Sequence, residues 1–303
     1  MSQPDLASTY RARDVEGAFD LFFYRKVGFQ LARLFARFGL TPNAVTLLGS
    51  AIGILATRFY FYPELATNFI GMLLHVFCNA MDNADGQLAR LTSRSSSIGK
   101  VLDGVCDHLV YISLYCFLAL RLIAQGRPKS IWFLALAAAL SHFLQSAVAE
   151  YCRDAYLRFV NGKRQALDLS SELHEREANV SWQGNFWKKL LLWLHWTYVV
   201  QQELLVPCFV RLEDATRRIL SDEVPPWLQD EYRRRNRPLM KLAFLLRTNT
   251  RMLVLFTVLI LGQPLYYFVI EVVALNLLLG FLLLRQNAIC RQLQELVSQR
   301  VRA

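Results

Sequence analysis

Four aspartates between positions 82 and 107 have the type and spacing of a metal-binding set. Asp82 and Asp85 are three residues apart, and Asp103 and Asp107 are four residues apart. On a helix with about 100° per residue, the first pair is separated by about 60° and the second by about 40°, so each pair shares one helix face. Two acidic faces joined by a short connection form an all-oxygen site that suits a hard divalent cation, Mg²⁺ or Mn²⁺.

The residues around these aspartates would suit a phosphate ligand. Gly86, Ala89 and Gly99 are small enough for a ligand or a neighbouring backbone to approach closely. Arg90 offers a planar fork of donors to phosphate oxygens. In an alternative reading the carboxylates pair with lysines to hold two helices together, but only Lys100 lies nearby to pair with four aspartates.

The composition indicates that the helices carrying these residues lie in a membrane. Of the 303 residues, 54% are hydrophobic and 19% are charged, with a net charge of +10, and long stretches carry no charge. This composition excludes a disordered chain, a disulfide-stapled secreted domain and a collagen-like fibre. A carboxylate at a helix centre in the bilayer costs roughly 2.5 to 3.5 kcal/mol, so the four aspartates require partners.

We predict an all-α fold, a polytopic membrane helix bundle with about six transmembrane helices and an N-terminal interfacial helix. The fifth span is short and needs the preceding residues to cross a hydrocarbon core of about 30 Å. The six apolar segments are residues 43–61, 67–90, 98–124, 130–152, 250–263 and 264–284. The interfacial helix covers residues 19–40, where Phe and Leu alternate with Arg and Lys; the alternative is a soluble helix packed on its own domain.

The distribution of positive charge predicts the orientation. With the N-terminus inside, thirteen Lys and Arg outside the long insert fall on the cytoplasmic side and four on the other side. Residues 1–17 have no apolar stretch of the kind that a signal peptide needs. The sequence therefore predicts an inner-membrane protein with both termini and the acidic site facing the cytoplasm.

The long insert after the fourth span combines polar and aromatic sequence. It contains Trp182, Trp187, Trp193 and Trp196 beside Lys188 and Lys189, which indicates a helix lying in the membrane interface; a hidden pair of spans is the alternative. On this helix Lys188, His195 and Gln202 are seven residues apart and form a narrow polar stripe. A basic cluster at residues 233–237 would attract anionic lipid or would simply signal topology. The predicted domains are a cytoplasmic arm with the interfacial helix (1–40), four spans with the acidic motif (41–155), the insert (156–248), and two spans with a cytoplasmic tail (249–303).

The acidic motif resembles a known family signature. Residues 82–107 read D-x2-D-G-x2-A-R-x8-G-x3-D-x3-D, which is similar to the signature of the CDP-alcohol phosphatidyltransferases. The element Thr41-Pro42-Asn43 resembles the Pro-Asn pair that opens the first span of that family. The resemblance covers roughly residues 40 to 155, and the insert that follows matches nothing in it.

The resemblance implies roles for individual residues. Asp82, Asp85 and Asp103 would bind metal, with Asp107 close by as a further ligand and as the general base. Two ions, Mg²⁺ or Mn²⁺, would neutralise the diphosphate and stabilise the departing CMP. The CDP-linked substrate would be bound by a set of nucleotide-binding residues: Asn43, Thr46, Gly86, Ala89, Arg90 and Gly99. Homodimers are common in the family, and the sequence neither supports nor excludes one.

Two reaction directions share this signature. A CDP-diacylglycerol donor gives its phosphatidyl group to a polar alcohol such as inositol phosphate or glycerol phosphate, or a CDP-choline or CDP-ethanolamine donor gives its head group to diacylglycerol or ceramide. Members of the second group carry His after the third aspartate, whereas this chain has Gly104. The departure favours the first direction and Asp107 as base; His108 is interpreted as a hydrogen-bonded core residue. Cations that could bind an acceptor phosphate are Lys100, Arg153, Arg247 and Arg251, with Lys163 a further phosphate contact.

Three other classes of protein fit less well. A cation transporter would spread its carboxylates along a path and would not place Arg90 beside them. A catalytically silent lipid-binding homologue would not need the complete acidic set. Nucleic-acid binding would need a basic soluble module, which the sequence lacks. The six cysteines are scattered and are interpreted as buried free thiols rather than metal ligands.

Overall fold

The computed structural model describes residues 17, 20–94, 96–162, 167–220 and 223–302, and the regular structure in these ranges is helical. The predicted all-α fold is therefore confirmed. The helices are α1 (Arg25–Arg37), α2 (Pro42–Phe59), α3 (Leu65–Leu91), α4 (Ser97–Ala124), α5 (Ile131–Asn161), α6 (Ser170–Ala178), α7 (Phe186–Leu205), α8 (Pro207–Leu220), α9 (Pro226–Ala243), α10 (Thr248–Ile260), α11 (Leu265–Val269) and α12 (Leu275–Arg302). Short π-helical turns, Asp20–Tyr24 and Ile270–Ala274, precede α1 and α12, and a 3-10 turn, Phe244–Leu246, follows α9.

Several helices are long and apolar enough to cross a membrane, so the chain is an integral membrane protein. Among the described residues, three stretches meet this description by length and composition: Val101–Ala124, Ile131–Asn161 and Leu265–Arg300. A fourth is formed if Pro226–Leu246 and Thr248–Ile260, which are bent by 42°, make one broken span. The predicted fifth span corresponds to Thr248–Ile260, which is long enough to cross a membrane only together with the residues before it, as predicted.

All six predicted apolar segments are helical, but α2 and α3 fall outside the group of candidate spans. Polar side chains lower their hydropathy, among them Arg58 in α2 and Asn68, His75 and Asp82 in α3. Of these side chains only Asp82 belongs to the acidic motif, so the motif accounts for part of the lower mean hydropathy of α3 and for none of that of α2.

The chain divides into two compact units, the first made of Met1–Phe143 and Arg251–Val272. In this unit α1 and α2 both pack on α3, and α2 also packs on α4. Glycines allow the close approach: a Cβ on Gly28 would lie 3.0 Å from Asn83 Cβ, and one on Gly53 would lie 2.8 Å from Cys78 Sγ. A small core beneath the acidic motif contains Ala32, Val45, Met81, Ala84 and Leu88.

A larger apolar core fills the other part of the first unit. Its centre is aromatic and includes Tyr60, Tyr115, Tyr267 and Phe268, each at most 3% exposed. A buried ion pair joins Arg251 on α10 to Glu271 in the π-helical turn before α12. Because α10 and α11 are joined by a short loop, this pair closes a helical hairpin.

The second unit comprises Leu144–Thr250 and Val273–Ala303. Helices α8 and α9 pack on α12, and α7 packs on α6 and α8. The guanidinium of Arg158 donates a fork of hydrogen bonds to the Glu213 carboxylate, with both side chains only 1% exposed. All six cysteines are free thiols, as predicted, and five of them are buried while Cys116 is partly buried.

Candidate functional site

Three aspartates converge where the end of α3 meets the start of α4. Asp82, Asp85 and Asp103 each offer a carboxylate oxygen, and these oxygens lie within 4.8 Å of one another. Asp85 is buried at 6% exposure, whereas Asp82 and Asp103 are more open. The helical spacing explains the arrangement, because one turn of α3 and one position on α4 present their carboxylates to the same space.

The start of α4 is set by a serine cap. Ser96 Oγ accepts a hydrogen bond of 3.0 Å from the Gly99 amide, which satisfies one of the donors exposed at a helix N-terminus. This cap determines where α4 begins and therefore where Asp103 lies along it. Sequence reasoning gave Ser96 no role in the site, although a serine just before an apolar helical segment is a recognised cap signal.

The first turn of α2 supports the acidic group. Thr41 caps this helix by accepting a hydrogen bond from the Ala44 amide, and Pro42 is its first residue. One turn later, the Thr46 hydroxyl donates to Asp85 Oδ2 at 2.5 Å. Thr46 is a predicted nucleotide-binding residue; the structure places its hydroxyl on the carboxylate of a predicted metal ligand.

The donor set fits a divalent cation. Oxygen ligands on opposite sides of one Mg²⁺ are about 4 Å apart, close to the spread of these three carboxylates. Three carboxylates this close together repel one another, and a shared cation would offset that repulsion. Hard oxygen donors favour Mg²⁺ or Mn²⁺ over softer metals. The cluster could therefore hold the predicted metal.

The predicted nucleotide-binding residues lie on α2, α3 and α4. The Arg90 guanidinium folds back over its own helix, where a Cβ on Gly86 would lie 3.7 Å from Arg90 Nη1. Asn43 Oδ1 would lie 3.3 Å from a Cβ on Gly99, so α2 and α4 meet at this point. Ala89 is partly buried on α3, one residue before Arg90.

Asp107 differs from the other aspartates. It is exposed, lies one turn beyond Asp103 on α4, and is not one of the three residues grouped above. The next residue, His108, places Nδ1 2.5 Å from the Gly104 carbonyl oxygen and packs its ring edge-on to Phe143, in agreement with its interpretation as a core residue. A Cβ on Gly104 would meet no atom within 4 Å.

The predicted acceptor-binding cations are less well supported. Arg251 is 1% exposed and its guanidinium pairs with Glu271, which leaves no outward-facing charge for an acceptor. Arg153, in the second unit, donates to Glu150 and Asp154. Arg247, also in the second unit, lies over the Phe244 ring. The side chain of Lys100 and all of Lys163 lie outside the described residues.

Comparison with known proteins identifies the segment that carries this site. Residues 39–159 match the sequence model of the CDP-alcohol phosphatidyltransferases. A bifunctional IPC transferase and DIPP synthase of Thermococcus kodakarensis is 32% identical over 135 residues, 41% of this chain and 30% of that protein. A phosphatidylinositol phosphate synthase of Streptomyces avermitilis is 37% identical over 89 residues, 29% of this chain and 35% of that protein.

A third relative, an archaetidylinositol phosphate synthase of Pyrococcus horikoshii, is 33% identical over 92 residues, 30% of this chain and 47% of that protein. The chain thus spans between about a third and a half of the curated relatives it matches. The family model covers residues 82–107, so the family resemblance predicted from this motif is confirmed. Residues 39–159, the segment that carries the acidic site, thus have the sequence of the CDP-alcohol phosphatidyltransferase family.

Proposed function

We propose that this chain transfers a phosphatidyl group from CDP-diacylglycerol to a polar alcohol, such as inositol phosphate or glycerol phosphate, with release of CMP. The observation that carries the proposal is the convergence of Asp82, Asp85 and Asp103 within 4.8 Å, with Asp107 exposed one turn further along the same helix. In this arrangement the three clustered aspartates are the proposed metal ligands, and Asp107, one turn beyond Asp103, is the proposed base.

The aspartates would hold Mg²⁺ or Mn²⁺, two ions in the arrangement that we propose. When bound, such ions neutralise the diphosphate and stabilise the charge on the departing phosphate. Thr46 holds Asp85 in place through its hydroxyl. Arg90 would donate to the phosphate oxygens of the nucleotide, while Gly86 leaves the space beside the guanidinium open. Asn43 and Gly99, which meet across α2 and α4, would bind the rest of the CDP group, together with Ala89.

Asp107 would act as the general base. It accepts the proton of the acceptor hydroxyl while that oxygen forms a bond to the phosphorus bearing the lipid, and the bond from this phosphorus to the CMP oxygen breaks. An exposed carboxylate outside the group of three can approach a soluble acceptor.

The relatives support an acceptor that carries its own phosphate, since the named synthases make phosphatidylinositol phosphate and archaetidylinositol phosphate. A Cβ on Gly104 would meet no atom within 4 Å, so the position next to Asp103 leaves room for a ligand to approach. We leave Arg153 and Arg251 out of the acceptor site because both pair with carboxylates. From the distribution of Lys and Arg we further propose that the site and both termini face the cytoplasm.

The test is CMP release by the full chain in lipid nanodiscs. We expect release with CDP-diacylglycerol, Mn²⁺ or Mg²⁺ and one member of a panel of polar alcohols, and loss of release on addition of EDTA. Asp107→Asn should abolish it, while Asp230→Asn, at a site that is 78% exposed, should not. Release only from CDP-choline or CDP-ethanolamine with diacylglycerol would reverse the proposed direction, and no release from either donor would refute the proposal.

A further inference from the structure

Helix α7 presents an apolar face outward. Taking Phe186 as the reference at about 100° per residue, six positions fall within about 40° of it and form a stripe about 27 Å long. These positions are Phe186, Leu190, Trp193, Thr197, Val200 and Leu204. Phe186, Trp193 and Leu204, at the two ends and near the middle of the stripe, are 53%, 42% and 77% exposed, and the other three positions are partly buried. We call it the outward stripe.

The polar side of the same helix faces the protein. Tyr198 donates a hydrogen bond of 3.0 Å to Glu150, and Gln202 donates one of 3.0 Å to the Ala147 carbonyl. His195 lies 3.2 Å from the Asp168 carboxylate. Of the predicted polar stripe Lys188, His195 and Gln202, the last two therefore contact other parts of the protein, and only Lys188 is exposed.

This arrangement is the reverse of that in a water-soluble domain, where a surface helix buries its apolar face and exposes its polar one. An outward stripe of Phe, Leu, Trp and Val lowers its free energy only if an apolar medium covers it. Both internal hydrogen bonds of Tyr198 and Gln202 end on α5, which is a candidate membrane span. Helix α7 therefore runs beside a helix that crosses lipid.

We propose that the outward stripe of α7 lies against membrane lipid at the bilayer boundary. The sequence between Glu177 and Glu203 carries no Asp or Glu, so no acidic group would be moved into the interface. Tryptophan and lysine are the residues that favour this zone. Helix α7 is not among the candidate spans of the described chain, which favours contact along one face over a full crossing.

The start of α7 has the features of an interfacial anchor. The rings of Trp182, Phe186 and Trp187 form an exposed group, with centroids 5.8 and 5.4 Å apart along the series. Beneath them Lys189 Nζ donates to the Glu177 carbonyl at 2.6 Å, which keeps this turn attached to α6. The adjacent Lys188 is exposed and available to lipid phosphates. A buried lysine thus attaches the start of α7 to α6, next to the exposed aromatic group.

Tryptophan quenching in nanodiscs tests this proposal independently of enzyme activity. The full chain is reconstituted in lipids whose acyl chains carry bromine, which quenches only rings in contact with the chains. Trp193→Phe removes a ring of the outward stripe, and Trp196→Phe is the matched control, because Trp196 lies outside the stripe, is partly buried and has its ring centroid 5.2 Å from that of His174 on α6. We expect the fraction quenched by bromine to fall in Trp193→Phe and to remain unchanged or rise in Trp196→Phe.

A water-soluble quencher, acrylamide, separates the other outcomes. If Trp193 is quenched by acrylamide and not by bromine, the stripe faces water and the proposal is wrong. If neither reaches it, protein covers the stripe, most simply a second copy of the chain, and the proposal is again wrong. A spin label at Leu204→Cys gives a second measurement: collisions with oxygen should exceed those with a water-soluble nickel complex, and the reverse would contradict lipid contact.

Discussion

The Thr46 hydroxyl donates a hydrogen bond of 2.5 Å to Asp85 Oδ2, which couples the first turn of α2 to the acidic group on α3. Asp85 is the most buried of the three clustered aspartates, so its orientation depends on this neighbour. A group that orients a metal ligand without touching the metal affects affinity through the ligand's position. Thr46 is a positioning residue in the proposed site.

Thr46→Val should therefore weaken metal binding. Valine keeps the shape of threonine and removes the donor, so Asp85 loses the bond that orients it. We expect the Mn²⁺ concentration for half-maximal CMP release to rise by about 10- to 100-fold, the range typical of residues that support metal ligands. The measurement is a Mn²⁺ titration of activity with a parallel titration of Mn²⁺ binding.

Thr57→Val on the same helix is the matched control. Its hydroxyl bonds to Ser113 and the Ile54 carbonyl, three turns from Thr46, and it is fully buried. If both variants shift the Mn²⁺ dependence equally, the effect is a general weakening of α2 and the specific role of Thr46 is wrong.

Asp103 and Asp107 should differ in metal binding although both are needed for activity. Asp103 is one of the three clustered carboxylates, whereas Asp107 is exposed and outside that group. We expect Asp103→Asn to lose Mn²⁺ binding, followed by the Mn²⁺ EPR signal, and to lose activity. Asp107→Asn should keep the bound-Mn²⁺ signal while CMP release falls by about 100-fold or more, as for removal of a general base. Loss of Mn²⁺ from Asp107→Asn would make it a ligand instead.

Alanine substitutions at Gly86 and Gly71, both on α3, should have different effects: the first on substrate binding and the second on stability. A Cβ on Gly86 would lie 3.7 Å from Arg90 Nη1, an ordinary contact, so Gly86→Ala should keep the melting temperature. It should raise the KM for CDP-diacylglycerol because the methyl group enters the space beside the Arg90 guanidinium, which we propose to bind the phosphates. The measurement is initial-rate kinetics beside a thermal melt of the same preparation.

Gly71→Ala is the converse variant. Its Cβ would lie 2.7 Å from Tyr60 Cε1 and 2.9 Å from the Ala56 carbonyl oxygen. Overpacking of this kind costs about 1 to 3 kcal/mol, so the melting temperature should fall while the KM of the remaining folded enzyme is unchanged. An unchanged KM in Gly86→Ala would remove Gly86 from the nucleotide site.

The acidic site could be predicted from the sequence because it depends on short-range geometry. Asp82 and Asp85 share one turn, and the short connection between α3 and α4 places Asp103 near the start of the next helix, so helical periodicity and the short connection together predict the group. The contact between Thr46 and Asp85 could not be predicted, since it depends on how α2 is rotated against α3. Helical periodicity predicts on which face of its helix a residue lies, but it does not predict which neighbouring helix packs against that face.

Longer-range partners explain the other differences. Arg251 sits at the end of a predicted span, where sequence position alone made it a candidate for binding an acceptor. Its partner Glu271 is twenty residues later, across the hairpin of α10 and α11. Likewise the sequence predicts the polar stripe of α7, but it does not predict that this stripe faces α5, which depends on how the two helices pack. Charge pairs and inward polar faces are properties of tertiary structure.

The buried pair of Arg251 and Glu271 should be essential for the stability of the first unit. Both side chains are at most 1% exposed, so Glu271→Gln leaves a guanidinium charge in an apolar core. Breaking such a pair from one side costs about 3 to 5 kcal/mol, and we expect a marked fall in the melting temperature. Replacing both residues by Leu should restore most of it, because no uncompensated charge remains. The measurement is a thermal melt in the same lipid or detergent.

The control for this prediction is a surface pair. Arg234 pairs with Glu231 and is 74% exposed, so Arg234→Gln should leave the melting temperature nearly unchanged. If Glu271→Gln is also without effect, the Arg251 charge must be compensated by other groups, and the pair does not hold the hairpin. If the double Leu variant is no more stable than Glu271→Gln, the loss comes from packing and not from the buried charge. A fall that the double variant reverses is the pattern that only a buried, uncompensated charge produces.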